Sequence, residues 1–365
     1  MEVKPHMNTF STRVINWQRK HGRHDLPWQG ADAYHVWLSE IMLQQTQVVT
    51  VIPYYQRFVA SFPDIATLAA SSEDEVLVYW SGLGYYSRAR SLFRTAQLIM
   101  QQHKGTFPCN FDDIIALPGI GRSTAAAISA LAFHQRRAIL DGNVKRVLAR
   151  YCAIEGYTGD KKIEEHLWHL AEEFLPPEKS ISPRSKSCEG IEISTYTQGL
   201  MDLGAQICTR SKPGCEACPL RRDCAAFNRG LVAVLPTPRP RKVKPEKHST
   251  FLLLLKGTDI LMEKRPGSGI WGGLWCPPQL DEKQDVSVFC TQQYGFQVAE
   301  SFTLPEFTHT FTHFKLNIKP LVVKLPRKFK CQLKPGDMWL DVEDALQAAI
   351  PTPVRKILLS INYSE

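Results

Sequence analysis

The sequence lacks the long apolar segment that a membrane-spanning helix requires. The longest notable apolar run, Phe251–Leu255, has five residues, whereas a transmembrane helix needs about 20. The first ten residues also lack the apolar core of a secretory signal peptide, and no internal repeat is visible. We therefore expect a cytoplasmic protein with no membrane partner.

A strong excess of one charge is absent as well. The 365 residues include 44 basic and 36 acidic side chains, a net charge of +8, and 44% of them are hydrophobic. These values are ordinary for a soluble protein of two or three domains and exclude a disordered or collagen-like chain. The charge is uneven, because six basic residues and one acidic residue lie between Arg229 and Lys247. Such a stretch is typical of a surface that binds a polyanion or of a linker that its charge keeps solvated.

Hydrophobic periodicity divides the chain near residue 225. Before it, apolar residues recur every three or four positions in stretches such as Tyr34–Phe58, the spacing of amphipathic helices. After the Pro-rich stretch Leu231–Lys247, the runs Thr250–Leu255 and Ile260–Lys264 flank a turn and predict a β-hairpin. We predict three segments: an all-α domain over residues 1–225, a basic linker over 226–247 and an α+β domain over 248–365.

Four of the ten cysteines lie close together, whereas the other six are scattered. They form the pattern C-x6-C-x2-C-x5-C with Cys208, Cys215, Cys218 and Cys224. Thiolates from one short loop bind an iron–sulfur cluster or zinc. Zinc sites usually combine two C-x2-C pairs, so this spacing favours a [4Fe–4S] cluster, with zinc as the alternative. The surrounding basic residues indicate a structural role at a phosphate-binding surface: Arg210, Lys212, Arg221 and Arg222.

A glycine-containing turn, Leu117–Gly121, lies between two predicted helices. Gly119 and Gly121 would let the backbone approach a ligand closely, and the N–H groups that open the next helix would bind a phosphate. An ordinary helix–helix turn is the alternative. The basic residues nearby support phosphate binding, because residues 119–150 contain six of them and a single acid, Asp141.

Asp141 and Glu40 are candidate catalytic carboxyls. Asp141 either occupies a hairpin turn or caps a helix that starts near Val144, and a capping position among cations would lower its pKa. Glu40 lies in the mostly apolar helical segment Trp37–Thr46, where burial would raise its pKa, unless it is a solvated residue at the helix edge. An acid paired with a fixed anion is the arrangement that cleaves glycosidic bonds.

Together these motifs resemble those of the MutY family of adenine-DNA glycosylases, within the helix-hairpin-helix superfamily. The resemblance extends over almost the whole chain and rests on the cysteine pattern and on LPW at 26–28, SEIMLQQTQV at 39–48, GLGYYSRAR at 82–90, LPGIGRSTAAA at 117–127, LDGNVKR at 140–146, MDLGA at 201–205 and SGIWGGLW at 268–275. It implies an all-α helix-hairpin-helix domain with an iron–sulfur loop, followed by an α+β Nudix-like domain. It also implies a monofunctional glycosylase of base excision repair that removes adenine paired with 8-oxoguanine or guanine.

The resemblance implies a role for each matching residue. Glu40 would protonate adenine, Asp141 would stabilise the oxocarbenium ion, and Asn143 would support the site. The four cysteines would bind the [4Fe–4S] cluster. The residues that would contact DNA are Trp28 and Leu43 at the adenine pocket, Gln45 and Tyr85 as wedges in the base stack, Gly119, Gly121, Ser123 and Lys145 near the phosphates, and Phe311, Thr312 and His313 as readers of 8-oxoguanine.

The implied partner is double-stranded DNA that carries an A:8-oxoG or A:G mispair. We expect a monomer in the bacterial cytoplasm, associated with the nucleoid when on DNA, and the linker is a candidate site for repair partners. Bifunctional relatives carry a nucleophilic lysine where this chain has Ser123, which argues against a lyase. The residues after Gly273 lack the glutamate-rich Nudix helix, which argues against a pyrophosphatase.

Three departures from the family pattern are Ala33 in place of the usual proline, Thr312 in place of serine, and a longer loop around residues 176–192. Two alternatives remain: a bifunctional pyrimidine-lesion glycosylase/lyase, and a non-enzymatic DNA-binding or electron-transfer protein that uses the metal centre.

Overall fold

The chain divides into two compact units in a computed structural model that describes residues 7–177, 186–240, 243–281, 284–326, 329 and 333–361. Residues 1–69 and 94–241 form the first unit, and residues 70–93 and 242–365 form the second. The division at residues 225 and 248 stays a prediction. Of the loop predicted over residues 176–192, residues 178–185 lie outside the described residues, and the prediction is wrong for residues 186–192, which belong to a helix. No helix among the described residues is both long enough and apolar enough to cross a bilayer.

The described residues before 230 form helices joined by turns and loops, with no strand among them. Their α-helices are α1 (Met7–His21), α2 (Ala33–Leu43), α3 (Val48–Ser61), α4 (Ile65–Ala70), α5 (Glu73–Trp80), α6 (Ser87–Gln102), α7 (Phe111–Ala116), α8 (Arg122–Phe133), α9 (Gly142–Tyr151), α10 (Lys161–Glu173), α11 (Lys186–Asp202) and α12 (Ala225–Asn228). A π-helical turn, Leu203–Ile207, follows α11 directly. The stretch Tyr34–Phe58 forms two helices rather than one, because the chain leaves α2 at Gln44 and re-enters a helix at Val48.

One hydrophobic core of the first unit is built from the apolar faces of α1, α8, α9, α10 and α11. Phe10 of α1 belongs to this core and is fully buried. Its ring stacks on Phe174 with centroids 4.5 Å apart and meets the edge of Tyr151 at 4.8 Å. Aromatic pairs in these arrangements add to the stability gained from burial alone, so α9 is fixed at its C-terminal end, opposite the N-terminus that Asp141 caps.

The second unit contains one mixed sheet. Its strands are β1 (Glu246–Lys256), β2 (Asp259–Lys264), β3 (Trp275–Cys276), β4 (Gln279–Asp281), β5 (Ser301–Thr303), β6 (Phe307–Thr310), β7 (Lys315–Leu325) and β8 (Asp337–Asp341). The predicted hairpin is present, since β1 and β2 pair antiparallel with Lys256 opposite Asp259. At the centre β1 runs parallel to β7, from Glu246 opposite Lys315 to Lys256 opposite Leu325.

Three helices complete the C-terminal part: α13 (Val286–Tyr294), α14 (Val342–Gln347) and α15 (Thr352–Ser360). Successive residues of a strand point to opposite faces of the sheet, and residues 251–255 of β1 are all buried, so both faces of this strand are covered. Leu252 and Leu254 share a core with Cys290 and Tyr294 of α13. The second unit is therefore the α+β fold that the sequence predicts.

Phe10→Ala should destabilise the first unit strongly. Removing a fully buried phenylalanine ring costs about 3–5 kcal/mol, which lowers the Tm of a unit of this size by roughly 10 °C. Thermal unfolding followed by circular dichroism measures the shift. In the control Val49→Ala, the replaced side chain is 74% exposed and the Tm should hardly move. Equal shifts in the two variants would contradict this description of the core.

Candidate active site

The turn Leu117–Gly121, called the hairpin turn below, connects α7 to α8. Gly119 has φ +79°, a left-handed conformation that glycine adopts without strain. Gly121 is the N-cap of α8 and provides no side-chain cap, so the first amides of α8 are available to an anion. The side chain of Gln44 at the end of α2 donates to the carbonyl of Gly119 at 3.3 Å. The hairpin turn is thus fixed beside the helix that carries Glu40.

Ser123 connects α8 to the segment that precedes Asp141. Its hydroxyl accepts a hydrogen bond from the backbone N–H of Leu140 at 3.0 Å. A serine at this position therefore contributes to holding the neighbouring carboxylate, in a place where a lyase would need an amine.

Asp141 is the N-cap of α9. Its Oδ1 accepts from the N–H of Val144 at 2.8 Å, and its Oδ2 accepts from Nδ2 of Asn143 at 3.0 Å. The capping alternative is therefore confirmed and the hairpin alternative is wrong. The expectation of a lowered pKa is also wrong: burial raises the pKa of Asp141, and the bonds from Val144 and Asn143 and the charge of Arg146 offset only part of that effect.

Glu40 lies near the C-terminal end of α2, on a helix whose other residues are mostly buried. Burial and, as the smaller contribution, the nearby charge of Asp141 together raise the pKa of Glu40 to about 8. The structure thus brings the two predicted carboxyls together. Glu40 retains its proton at neutral pH, as a general acid must.

Arg146 links this pair to the segment that enters the cysteine loop, defined here as residues 208–224. Its Nη2 donates to Oδ1 of Asn143 at 2.8 Å and to the carbonyl of Gly204 at 2.6 Å, and its Nε donates to the carbonyl of Cys208 at 2.6 Å. Gly204 packs so tightly that a Cβ there would lie 2.5 Å from Cβ of Asn143. The orientation of Asn143, and through it that of Asp141, therefore depends on the cysteine loop.

The four predicted ligands, Cys208, Cys215, Cys218 and Cys224, line one cavity with a mostly apolar wall. The described cysteines form no disulfide bonds. Within the described residues, no three His, Cys, Asp or Glu side chains are grouped closely enough to hold a single metal ion. Arg150, which is only 3% exposed, donates to the carbonyl of Thr209 at 2.7 Å and approaches Sγ of Cys208 at 3.4 Å. The donor set suits a centre held by thiolates, inside a loop that a buried guanidinium braces.

The basic residues around the hairpin turn are less available than their number suggested. Arg122 pairs with Glu172 at 2.6 Å and lies over the ring of Trp168. Lys145, predicted to contact phosphate, pairs with Glu164 at 2.9 Å. The count of cations along the sequence could not show that helix α10 supplies carboxylates to them.

The other predicted residues of the first unit lie around α2. Trp28 is buried and meets the ring of Tyr55 edge to face at 5.2 Å. Leu43 is the last residue of α2 and is partly buried. Gln45 is exposed and has φ +58°, a conformation that is uncommon for residues other than glycine and that clusters at functional sites.

Tyr85 and the three predicted reader residues belong to the second unit. Tyr85 has φ +49° and is 47% exposed. Phe311, Thr312 and His313, the reading loop, lie between β6 and β7. The N–H of Phe311 donates to the carbonyl of Phe314 at 2.9 Å and closes the loop, which leaves Thr312 and His313 exposed.

The motif reading missed several residues that support the site. Besides Arg146 and Arg150, Asp202 in the MDLGA motif is fully buried and accepts hydrogen bonds from Arg23 and Gln198. The Arg23 bond fastens the segment that leads to Trp28 to the end of α11. Arg146 and Asp202 lie within the LDGNVKR and MDLGA motifs, but their hydrogen-bond partners Cys208 and Arg23 are distant in the sequence.

The raised pKa of Glu40 predicts an effect on stability. In the unfolded chain Glu40 ionises near its ordinary value of 4.5, whereas in the folded chain it does so at about 8. The folded state binds the extra proton, so stability falls as pH rises from 4.5 to about 8. The glutamine of Glu40→Gln does not titrate, so the variant lacks this loss of stability. Its Tm relative to that of the parent should therefore rise between pH 4.5 and about 8. Thermal unfolding at several pH values measures it, with Glu165→Gln as the control, and a difference independent of pH would contradict the raised pKa.

Two family profiles match the chain. Residues 38–173 match the HhH-GPD superfamily of base excision DNA repair proteins, and residues 250–360 match the NUDIX domain. The first range contains Glu40, Asp141 and the hairpin turn, and the second contains the reading loop. The predicted fold class, a helical glycosylase domain followed by an α+β Nudix-like domain, is confirmed.

Known proteins match over nearly the full length. The chain is 39% identical over 353 residues to an adenine DNA glycosylase of Buchnera aphidicola subsp. Acyrthosiphon pisum, covering 96% of each chain. It is 30% identical over 415 aligned residues to one of Mus musculus, covering 96% of this chain and 77% of that one. The solved structure of a thermostable thymine-DNA glycosylase is similar with a TM-score of 0.51 and 27% identity, over 61% of this chain and 97% of that one. The resemblance seen in the motifs is thereby confirmed: the chain belongs to the adenine DNA glycosylase family, hydrolases of base excision repair.

Proposed function

We propose that this chain is a monofunctional DNA glycosylase that removes adenine paired with 8-oxoguanine or guanine by hydrolysis of the N-glycosidic bond. The observation that carries the proposal is the pair of adjacent carboxyls, in which burial and Asp141 keep Glu40 protonated at neutral pH. Base excision needs an acid for the leaving base and an anion for the sugar cation. The target adenine is rotated out of the duplex to reach them.

Glu40 donates its proton to N7 of the extruded adenine, which makes the base a better leaving group. The bond between C1′ and N9 then breaks, and its electron pair leaves with the base. The Asp141 carboxylate stabilises the oxocarbenium ion that develops at C1′. Water adds at C1′ and loses a proton, so that the products are free adenine and an abasic site.

Asn143 and Arg146 keep Asp141 ionised and correctly oriented to stabilise the oxocarbenium ion. The Asn143 amide donates to Oδ2 of Asp141, and Arg146 fixes that amide by donating to its oxygen. These contacts favour the ionised form of Asp141 against the effect of burial. Preorganised dipoles of this kind need no rearrangement when charge develops on the sugar.

Ser123 supports the monofunctional assignment. A lyase forms a Schiff base through an amine, and the hydroxyl of Ser123 instead accepts the bond from Leu140. Lys145 is the nearest amine in sequence to Asp141, and its ammonium is paired with Glu164. Water is therefore the nucleophile in the proposed reaction.

We propose that Cys208, Cys215, Cys218 and Cys224 bind a [4Fe–4S] cluster. A four-iron cluster is larger than a single ion and spreads its four thiolates around a cavity, as these cysteines are spread. When bound, the cluster would fasten the cysteine loop. Arg146 and Arg150 hold carbonyls of that loop, so the chain's own contacts connect the ligands to the support of Asp141.

Duplex DNA is the proposed partner. The hairpin turn, with open space beside Gly121, would bind the phosphate backbone through the amides of α8. Gln45 and Tyr85 hold exposed side chains in strained backbone conformations, which suits insertion into a base stack. The reading loop would contact 8-oxoguanine through Phe311, Thr312 and His313.

Adenine excision should depend on both carboxyls. The parent protein should release adenine from duplexes with A:8-oxoG or A:G, which alkali converts into strand breaks at the adenine. Glu40→Gln should lower the single-turnover rate about 10²–10⁴-fold, because general acid catalysis is lost. Asp141→Asn should lower it about 10²–10³-fold, because the charge opposite the sugar is lost.

Glu165→Gln removes a carboxylate from α10 and should leave the rate unchanged. Full activity of Asp141→Asn, or strand breaks without alkali together with borohydride-trapped protein–DNA crosslinks, would contradict hydrolysis at this site. Absence of any adenine release by the parent would contradict the proposed function as a whole.

The metal assignment predicts the metal content of the purified protein. The parent, purified without oxygen, should contain about four irons and four sulfides per chain and little zinc. Cys218→Ala should lose most of the iron, since one of the four ligands is missing, whereas Cys276→Ala, at a buried cysteine of the second unit, should retain it. Iron and zinc analysis measures both, and a stoichiometric zinc content would contradict the cluster.

A further inference from the structure

We propose that Arg90 and Trp271 are positioning residues that join the wedge segment, residues 82–88 around Tyr85, to the reading loop, residues 311–313. Through them the two parts that meet the base opposite adenine would be held as one reader of 8-oxoguanine. The inference rests on the proposed function, since it assigns Tyr85 and the reading loop to the same DNA lesion. All of these residues belong to the second unit.

Arg90 is rigidly connected to the wedge segment. Its backbone N–H donates to the carbonyl of Tyr86 at 3.1 Å, and the N–H of Arg88 donates to the carbonyl of Tyr85 at 2.9 Å. The guanidinium of Arg88 lies over the ring of Tyr85, 5.5 Å from its centroid. These contacts hold Tyr85 at a positive φ at the start of α6, so a displacement of Arg90 displaces Tyr85 as well.

The side chain of Arg90 anchors this helix to the turn 271–274. Its Nη1 donates a short hydrogen bond to the carbonyl of Gly272. The next residue, Gly273, has φ +78°, and a Cβ there would lie 3.2 Å from both Oε1 of Glu73 and Cδ1 of Leu77. Helix α5 therefore packs directly on the backbone of the turn. A second bond supports the attachment, because Ser81 donates to the carbonyl of Ile350 at 3.2 Å.

Trp271 connects the same turn to the reading loop. Its ring centroid lies 5.3 Å from that of Phe311 and 5.9 Å from that of His309. It is 9% exposed and has φ +55°, an uncommon conformation for a bulky residue that persists only where the surroundings enforce it. Arg90 binds Gly272, the residue that follows Trp271, and Trp271 contacts Phe311. An unbroken line of contacts therefore runs from Tyr85 to Phe311.

This line of contacts predicts a defect in discrimination rather than in chemistry. Glu40 and Asp141 lie in the first unit, so loosening the turn leaves the carboxyls in place. When the wedge segment and the reading loop are no longer fixed to each other, DNA binding must order them separately, and the preference for 8-oxoguanine over guanine weakens.

The test is the ratio of single-turnover excision rates on A:8-oxoG and A:G duplexes. Arg90→Met should lower this ratio roughly tenfold, as the loss of a hydrogen bond from a charged donor allows, while the A:G rate stays within about twofold. Arg90→Lys, which retains a donor, should recover part of the ratio. Trp271→Leu should lower it as well, and the double variant should be no worse than the poorer single variant, because both act through one contact chain. Arg94→Met is the matched control, since Arg94 is an exposed arginine on the same helix.

Different results would overturn the positioning role and the proposed function. An unchanged ratio in Arg90→Met, or equal loss on both duplexes in every variant that retains the parental Tm, would overturn the positioning role. Additive losses in the double variant would likewise overturn the shared contact chain. If Arg90→Met unfolds, Arg90→Lys and Trp271→Leu decide by the same ratio. Failure of the parent to excise adenine would instead overturn the proposed function, independently of this inference.

Discussion

Two neighbouring carboxyls that are partly withdrawn from solvent are the constraint on which the rest of the structure depends. A buried charge is costly unless hydrogen bonds and opposite charge surround it, and the fold resolves this differently for the two groups. Glu40 has an apolar environment and keeps its proton. Asp141 receives the N–H of Val144, the amide of Asn143 and the charge of Arg146. This difference in surroundings supports the roles proposed for them, with Glu40 as the acid and Asp141 as the anion.

The need to support Asp141 explains why the cysteine loop lies where it does. The guanidinium of Arg146 donates hydrogen bonds to the side-chain oxygen of Asn143 and to the carbonyls of Gly204 and Cys208. A side chain at position 204 would push Asn143 away. Through Arg146 and Asn143 the loop therefore stabilises the geometry of the Asp141 carboxylate, which fits a structural role for the proposed cluster.

The sequence predicts those features of the structure that local residue patterns determine. The helical spacing, the β1–β2 hairpin, the capping aspartate and the four cysteines were all visible, because each depends on neighbours within a few residues.

Contacts between distant segments were not visible in the sequence. Arg150 is one of the six basic residues that were taken to support phosphate binding, but it is buried against the cysteine loop. Lys145, another of the six, is paired with Glu164. The pKa of Asp141 was predicted in the wrong direction, because the extent of its burial follows from packing and not from its capping position. The grouping of residues 70–93 with the C-terminal sheet also depends on contacts that no periodicity encodes.

The proposed chemistry requires above all that Glu40 remain protonated at neutral pH. Its most direct test is a carbon-13 NMR titration of protein labelled at the glutamate side-chain carboxyl, with the Glu40 signal assigned by its loss in Glu40→Gln. The surroundings of Glu40 predict a midpoint of about 8 for this signal. A midpoint near the ordinary glutamate value of 4.5 would contradict it, because Glu40 would then be ionised when the base must leave.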